Sequence, residues 1–319
     1  MRAVVFVGAG GNDVVLVEDR PDPVPGPEEI VVDVRFAGLN PADLQQRAGR
    51  YPAPPGSPAD VPGLEVSGRV HACGERVTAW AVGDRVFGLV GGGGLADRVL
   101  VHERAVTRIP DSLDDEQAAA VPEAFITAHD AVRTQAGLLM GETLLVHGAA
   151  GGVGSAAVQI GLMTGASVIA VVRSENAAEV IAALGATVIR EDRFPADVPR
   201  TVDVILELVG APHFPANLEI LAPKGRIAIV GVGGGQEITL SLLTLMQRRA
   251  AIRGTVLRAR PLEEKGVVIR AFEREIVPGL ADGRLRPLID SVHPIASVTQ
   301  AFDRLEGSGK TGKVLLEFS

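Results

Sequence analysis

Residues 144–159, LLVHGAAGGVGSAAVQ, decide the fold. A short apolar run, Leu144–Val146, passes into a glycine cluster and then into a helical pattern of small residues. Read as strand, turn and helix, the stretch is a dinucleotide fingerprint, with Ala149 in the first glycine place and Gly151 and Gly154 after it. Such a turn needs residues without bulk, so that backbone amides can close on a pyrophosphate. Gly151, Gly152 and Val153 then stand at the helix N-terminus, where unpaired N–H groups and the dipole favour phosphate charge. Gly154 lets the helix lie close to its strand.

The flanking sequence agrees. Ser167–Val172 (SVIAVV) is a second apolar, β-branched run one helix length further on, as in a βαβ unit. Ser174 suits the N-cap of the next helix, which ends at Leu184 with Gly185 as its C-cap. Apolar runs at Thr187–Ile189, Val202–Leu208, Arg226–Val230 and Ala251–Leu257 alternate with helical stretches. Strands that read as continuous apolar runs between helices indicate a parallel sheet covered on both faces. The fold class is α/β, a doubly wound Rossmann sheet.

Composition narrows the function. The 319 residues suggest two domains, and 46% apolar with 22% charged residues supply ample core for a soluble globular chain. A net charge of −8 gives no footprint for general nucleic-acid binding, and 3% aromatics leave little for base stacking. The apolar run in MRAVVFVGAGG is too short for a signal peptide and fits a first strand. No stretch approaches the length of a membrane span. One cysteine, Cys73, excludes an intrachain disulfide and fits a reducing cytoplasm.

Residues 1–110 read as β-rich, with runs at Ala3–Val7, Val14–Val17, Ile30–Arg35, Gly68–His71 and Arg98–Val101 between Pro- and Gly-rich turns. Ser112 with Asp115 suggests a capping box, followed by helices over Asp115–Val121 and Glu123–Ala136. A helix over Leu262–Leu280, another from Ser297 with Gln300 as box partner, and a strand over Lys313–Phe318 complete the chain. Gly91–Gly94 serves either as a rim of the active-site cleft or as a plain hairpin turn, and the turn is the simpler reading.

Several further segments carry a family resemblance. GLNPADLQQRAGRYP (38–52), VPGLEVSGRV (61–70), VGDRVFGL (82–89), VPEAFITAHDAV (121–132), HGAAGGVGSAAVQI (147–160), LRAR (257–260) and TGKVLLEF (311–318) together resemble the zinc-independent quinone oxidoreductase branch of the medium-chain dehydrogenase/reductase superfamily. The resemblance implies a discontinuous GroES-like β-rich catalytic domain, residues 1–120 and 258–319, around a Rossmann domain, residues 121–257, with the active site in the cleft between them. It also implies a homodimer or homotetramer paired through the last Rossmann strand, about Ala251–Leu257.

Zinc is not expected. A catalytic zinc needs about three Cys, His or carboxylate ligands, and a structural one usually needs four, mostly Cys. In zinc-dependent relatives a ligand cysteine sits where this chain reads Gly38–Leu39–Asn40, and a ligand histidine falls at Leu64. The four-cysteine lobe is missing. His71, His102, His129, His147, His213 and His293 show no ligand spacing and read mostly as surface or structural residues. Without a Lewis acid an ordinary ketone is poorly polarised, so quinones, enones and other α,β-unsaturated carbonyls are favoured as hydride acceptors. No flavin is implied.

Catalysis then rests on positioning and on donors aimed at the oxygen where charge develops. Asn40, through its amide, and Tyr51, the only tyrosine, through its phenol, are the candidates, and the resemblance places both beside nicotinamide and substrate. Asn40 before Pro41 equally reads as a turn residue, Asp43 as a helix cap and Tyr51 as packing in a Pro-rich loop. The resemblance puts Thr127 near the nicotinamide ribose; a hydroxyl bonded within its own helix is the other reading.

Coenzyme preference turns on the end of the second Rossmann strand. NAD enzymes usually carry an acid there, whereas this chain has Arg173 and Ser174, and a guanidinium fits a 2′-phosphate. NADPH is favoured, with NADH possible. An arginine pointing into solvent is the alternative. Ala177 and Glu191–Asp192, where relatives often carry a lysine and an Asn-Tyr pair, weaken the case. Gly210, Val230 and Gly231 end the fourth and fifth strands, where ligands gather. The expected activity is NADPH-dependent reduction of quinones or enones. An enoyl-thioester reductase, acting on acyl carrier or coenzyme A substrates, and a low-turnover NADPH-binding protein are the alternatives.

Overall fold

The structure, a computed structural model, describes residues 1–199 and 201–318. The chain divides into two compact units: Met1–Ile126 together with the chain from Leu257 onward, and Thr127–Val256. The sequence reading puts the first crossing after residue 120. Helix Asp115–Ala119 packs on strands of the first unit, and residues 122–126 stay with it.

Strands β1 (Arg2–Phe6) and β2 (Val15–Asp19) form an antiparallel ribbon in the first unit. Strands β3 (Glu29–Leu39), β4 (Glu65–Cys73), β5 (Arg85–Leu89), β6 (Arg98–His102) and β7 (Val106–Arg108) follow. The second unit holds β8 (Thr143–Val146), β9 (Ser167–Val172), β10 (Thr187–Arg190), β11 (Val202–Glu207), β12 (Leu221–Ile229) and β13 (Ala251–Gly254). The chain then returns to the first unit with β14 (Ile289–Pro294) and β15 (Lys313–Glu317).

In the first unit the order is β14-β15-β3-β4-β5-β7, with β6 also paired to β3. Strand β3 is the spine, burying Ile30, Val31, Val32, Val34, Ala37 and Leu39. Its neighbours β4, β6 and β15 all run antiparallel to it. The N-terminal ends of β4 and β15 therefore lie beside the C-terminal end of β3, and that topology builds the polar centre described below.

The Gly91–Gly94 run is not a hairpin turn. It joins β5 to β6, yet β5 pairs with β4 and β7 while β6 pairs with β3. The run is buried against residues 57–63 instead, where Gly93 N–H donates to Val61 O at 2.8 Å. Two capping expectations also change. Asp114, not Ser112, caps helix Asp115–Ala119, accepting Gln117 N–H at 2.7 Å. Ser297 precedes helix Val298–Glu306 without a side-chain cap bond. The helix expected over 262–280 is two, Leu262–Glu275 and Val277–Ala281, separated just before Pro278.

The second unit is a parallel sheet of order β10-β9-β8-β11-β12-β13, the doubly wound order with the first and fourth strands adjacent. Leu144, Leu145 and Val146 are fully buried in β8. Helix Gly152–Met163 packs on β8 and β9, and its approach needs Gly154: a Cβ there would stand 2.4 Å from Gly148 O. No helix among the described residues is long and apolar enough to cross a membrane.

Candidate functional site

Three strand ends meet in the first unit. Lys313, opening β15, places Nζ 2.5 Å from Glu65 Oε1, 2.5 Å from Asn40 Oδ1 and 2.9 Å from Leu39 O, which engages all three ammonium hydrogens. Glu65, opening β4, is fully buried and Lys313 nearly so. Such a pair persists in a dry interior only when the remaining lone pairs are bonded. Here they are: Glu65 Oε1 also accepts from Asn40 Nδ2 at 3.0 Å, and Oε2 accepts the Glu123 N–H at 2.7 Å. Gly38 makes the room, since a Cβ there would lie 2.2 Å from Glu65 Oε1.

The sequence reading gives Asn40 an amide free to donate. In the structure both hydrogens of Nδ2 are engaged, by Glu65 and by Gly38 O at 3.2 Å, while Oδ1 faces Lys313. An ammonium only donates and a carboxylate only accepts, so this amide orientation is fixed. Asn40 is the hub of the network. It also caps helix Pro41–Arg47, where Asp43 accepts the Asn40 N–H at 2.8 Å and the Gly63 N–H at 3.1 Å, the capping role expected for Asp43. Burial pushes the Asp43 carboxyl up to about 6 against those two N–H groups.

Tyr51 is half-buried under the Arg258 guanidinium, 5.1 Å from its ring centroid, and its phenol has no hydrogen bond among the described residues. Burial raises its pKa, more than Arg258 lowers it, so the hydroxyl stays protonated. Arg258 Nε donates to Gly91 O at 2.8 Å and Nη2 to Gln46 Oε1 at 2.6 Å. One guanidinium thus ties helix Pro41–Arg47, the Tyr51 loop and the glycine run together. Half-buried Glu123 is pushed up to about 7 by burial and then by the like charge of Glu65. Glu65, Glu123, Arg258 and Lys313 were not singled out from sequence. Each lies inside a segment carrying the family resemblance, and a charge within such an apolar motif is the signal that would have found them.

In the second unit, Ala149 N–H donates to Val171 O at 3.1 Å, and Gly151 is the N-cap of helix Gly152–Met163. The first-turn N–H groups of that helix have no partner in their own helix, and half-buried Gly152 and Val153 leave them approachable, so the turn fits a phosphate group. Arg173, following β9, is exposed with no hydrogen bond or ion pair among the described residues. Ser174 caps helix Glu175–Ala182 by accepting the Ala177 N–H at 3.3 Å, which leaves its own hydroxyl hydrogen to donate. Neighbouring Arg190 is compensated by Glu175 at 3.0 Å and Asp192 at 3.9 Å. Thr127 is buried at the start of this unit.

Behind the turn lies a buried cluster that the sequence did not disclose. Glu207, ending β11, accepts the N–H groups of Val209 and Gly210 at 2.8 Å each and Asn217 Nδ2 at 2.7 Å. Its backbone oxygen accepts from Val230 at 3.0 Å and Gly231 at 3.2 Å. The rings of His147 and His213 stack at 4.1 Å beside it. His147, Glu207 and His213 are the one group of metal-type ligands gathered among the described residues, but they do not fit an ion. Imidazole lone pairs lie in the ring plane, and rings stacked 18° from parallel cannot both aim at one metal. Spacing alone hid the cluster because its members come from different strand ends.

Two family profiles match: "Alcohol dehydrogenase GroES-like domain" over residues 26–111 and "Zinc-binding dehydrogenase" over residues 152–274. A quinone oxidoreductase from Lama guanicoe is 34% identical, over 99% of this chain and 97% of that protein. Two crystal structures superpose with a TM-score of 0.87: an NAD-dependent alcohol dehydrogenase, 30% identical with both chains fully covered, and a quinone oxidoreductase from Pseudomonas syringae pv. Tomato DC3000, 28% identical over 99% of each chain. At the first unit's polar centre the groups that could turn toward a zinc are already engaged, Glu65 Oε1 and Asn40 Oδ1 by the Lys313 ammonium. Asn40 and buried Leu64 stand where ligands are expected, and the Lys313 ammonium 2.5 Å from Asn40 would repel a cation.

Replacing Lys313 with Met should leave Glu65 buried without a counter-charge and cost about 3–5 kcal/mol in urea denaturation. Adding Glu65→Gln to that variant should recover most of the loss. A single-variant cost below about 1 kcal/mol would mean that solvent reaches the pair.

Proposed function

This chain belongs to the quinone oxidoreductase branch of the medium-chain dehydrogenase/reductase superfamily, and from that premise we propose that it reduces quinones and other α,β-unsaturated carbonyls with NADPH and without a metal. It is an oxidoreductase; coenzyme choice, acceptor class and metal independence are the proposal. The observation that carries it is the Lys313 ammonium 2.5 Å from both Glu65 and Asn40, a fixed positive charge among the groups that would otherwise be asked to hold an ion. Without a Lewis acid, acceptors that are already electron-poor are the suitable ones.

A reduced nicotinamide, when bound, supplies a hydride. Tyr51 contributes a phenol kept protonated by burial and without a protein partner among the described residues, suited to donate to an oxygen gaining negative charge. Asn40, locked by Lys313 and Glu65, holds the start of helix Pro41–Arg47, the segment leading to Tyr51. In the second unit, the proposed coenzyme contacts are Ala149 and Gly151–Gly154 at the pyrophosphate, Thr127 at the nicotinamide ribose, and Gly210, Val230 and Gly231 along the strand ends. Arg173 and Ser174 are assigned to the adenosine ribose and its 2′-phosphate. The free charge of Arg173, beside an Arg190 already compensated, supports NADPH over NADH.

We also propose a cytoplasmic homodimer or homotetramer paired through β13. Among the described residues that strand ends the sheet with one side unpaired, and Leu242, Leu243 and Met246 are exposed on the helix before it.

Loss of the coenzyme's near-ultraviolet absorbance, followed with quinones, simple enones and crotonyl thioesters, tests the activity. Turnover with quinones or enones is expected; turnover with thioesters alone would overturn the acceptor class. Arg173→Ala should weaken NADPH more than NADH by about 1–3 kcal/mol in calorimetric titration, and an unchanged ratio removes Arg173 from the site. Sedimentation equilibrium should give a dimer or tetramer, and a monomer at micromolar concentration would reject the β13 interface.

A further inference from the structure

The strand order of the parallel sheet reverses between β8 and β11, and the buried cluster straddles that point. His147 follows β8; Glu207 ends β11; His213 lies on the single turn Ala211–His213; Glu191 opens the turn after β10. Glu207 shapes two loops at once, through its carboxylate on Val209 and Gly210 and its carbonyl on Val230 and Gly231. Those loops contain Gly210, Val230 and Gly231, the strand-end residues assigned above to coenzyme.

The hydrogen-bond pattern fixes most protons in the cluster. Asn217 donates to Glu207 through Nδ2, so its Oδ1, 2.7 Å from His147 Nε2, must accept. His147 therefore carries its hydrogen on Nε2. Burial drops its pKa to about 4, and it stays neutral at physiological pH. His213 Nε2 lies 3.0 Å from Glu191 Oε1 and must donate to it, which leaves Nδ1, 3.7 Å from Glu207 Oε1, as the open position on this ring. Its surroundings are two carboxylates, Glu207 from β11 and Glu191 from the turn after β10, the neutral ring of His147 and the edge of Phe194. The Glu207 carboxylate raises the pKa of His213, while burial works against it.

We propose that His213 is a positioning residue for the coenzyme loops: its protonated ring bridges Glu207 and Glu191 and holds the turn Leu208–Gly210 in the shape that accepts the coenzyme. The inference rests on the coenzyme reading above. With a hydrogen on Nδ1 the ring attracts Glu207, whereas without it a lone pair faces a carboxylate oxygen and the bridge opens on that side. The raised pKa sets the sign. The bridge is complete below the pKa of His213 and is lost as pH rises through it, so coenzyme affinity falls in the same window and binding takes up protons.

Calorimetric titration of the intact protein with NADPH between about pH 6 and about pH 9, in buffers of different ionisation heat, reads both effects. NADH, which lacks a titrating 2′-phosphate, is the control. The dissociation constant for either coenzyme should rise about fivefold or more across the range, and His213→Gln should flatten the rise. A flat wild-type profile, or an equal rise in His213→Gln, overturns the inference while leaving the coenzyme reading intact. Absence of binding at every pH overturns both. If His213→Gln does not fold, Glu191→Gln should move the midpoint to lower pH, and an unmoved midpoint is a failure. An imidazole NMR titration of His213 without coenzyme should give a pKa above the usual value, and an ordinary one rejects the bridge.

Discussion

The buried contact between Lys313 and Glu65 is the constraint around which the first unit's polar centre is arranged. Two ions removed from water lose several kcal/mol of hydration each, and their attraction offsets this only when every remaining donor and acceptor is matched. Three consequences follow in the structure. Asn40 turns its amide inward, with its oxygen to the ammonium and its nitrogen to the carboxylate. Position 38 must be glycine, because the carboxylate fills the space of a side chain. The Glu123 N–H, at the start of the helical stretch Pro122–Ile126, is drawn onto the second oxygen. A residue that reads from sequence as a free amide is therefore held in place by its partners.

The same principle, a carboxylate that organises backbone, recurs in the second unit. Burial would push Glu207 toward its neutral form, but His213 and the N–H groups of Gly210 and Val209 hold its pKa below the usual carboxylate value. It stays ionised and acts as an anchor for two loops at the carboxyl edge of the sheet. Placing a charge there, where ligands gather in doubly wound sheets, makes loop geometry depend on side-chain electrostatics as well as on strand packing. Arg258 does comparable work in the first unit, drawing three segments onto one guanidinium.

Much of the architecture was legible in the residues. The apolar run Leu144–Val146, the small residues after it and the alternation of strands and helices to Ala251 gave a parallel sheet, and β8 to β13 fall on the expected runs. Ser174 as a cap and Asp43 as a loop organiser were also readable, because capping is a contact between near neighbours in the chain. Where several polar residues competed for one local role, the reading slipped. Asp114 took the cap expected of Ser112, since its carboxylate reaches the Gln117 N–H and Gln117 can answer in return. The Gly91–Gly94 run looked like a hairpin turn because pairing partners cannot be read from the runs on either side.

The sequence by itself determined the class of fold, the position of the glycine turn and the absence of a cysteine-rich metal lobe, because each depends on periodicity or composition within a short window. Only the tertiary structure decided which charges meet. Asn40, Glu65 and Lys313 converge through the antiparallel pairing of β3 with both β4 and β15, and His147, Glu207 and His213 converge through the adjacency of β8 and β11. Local pattern cannot encode such contacts. The residues are far apart along the chain, and whether a buried charge is matched depends on partners that only the folded strands bring within hydrogen-bond reach.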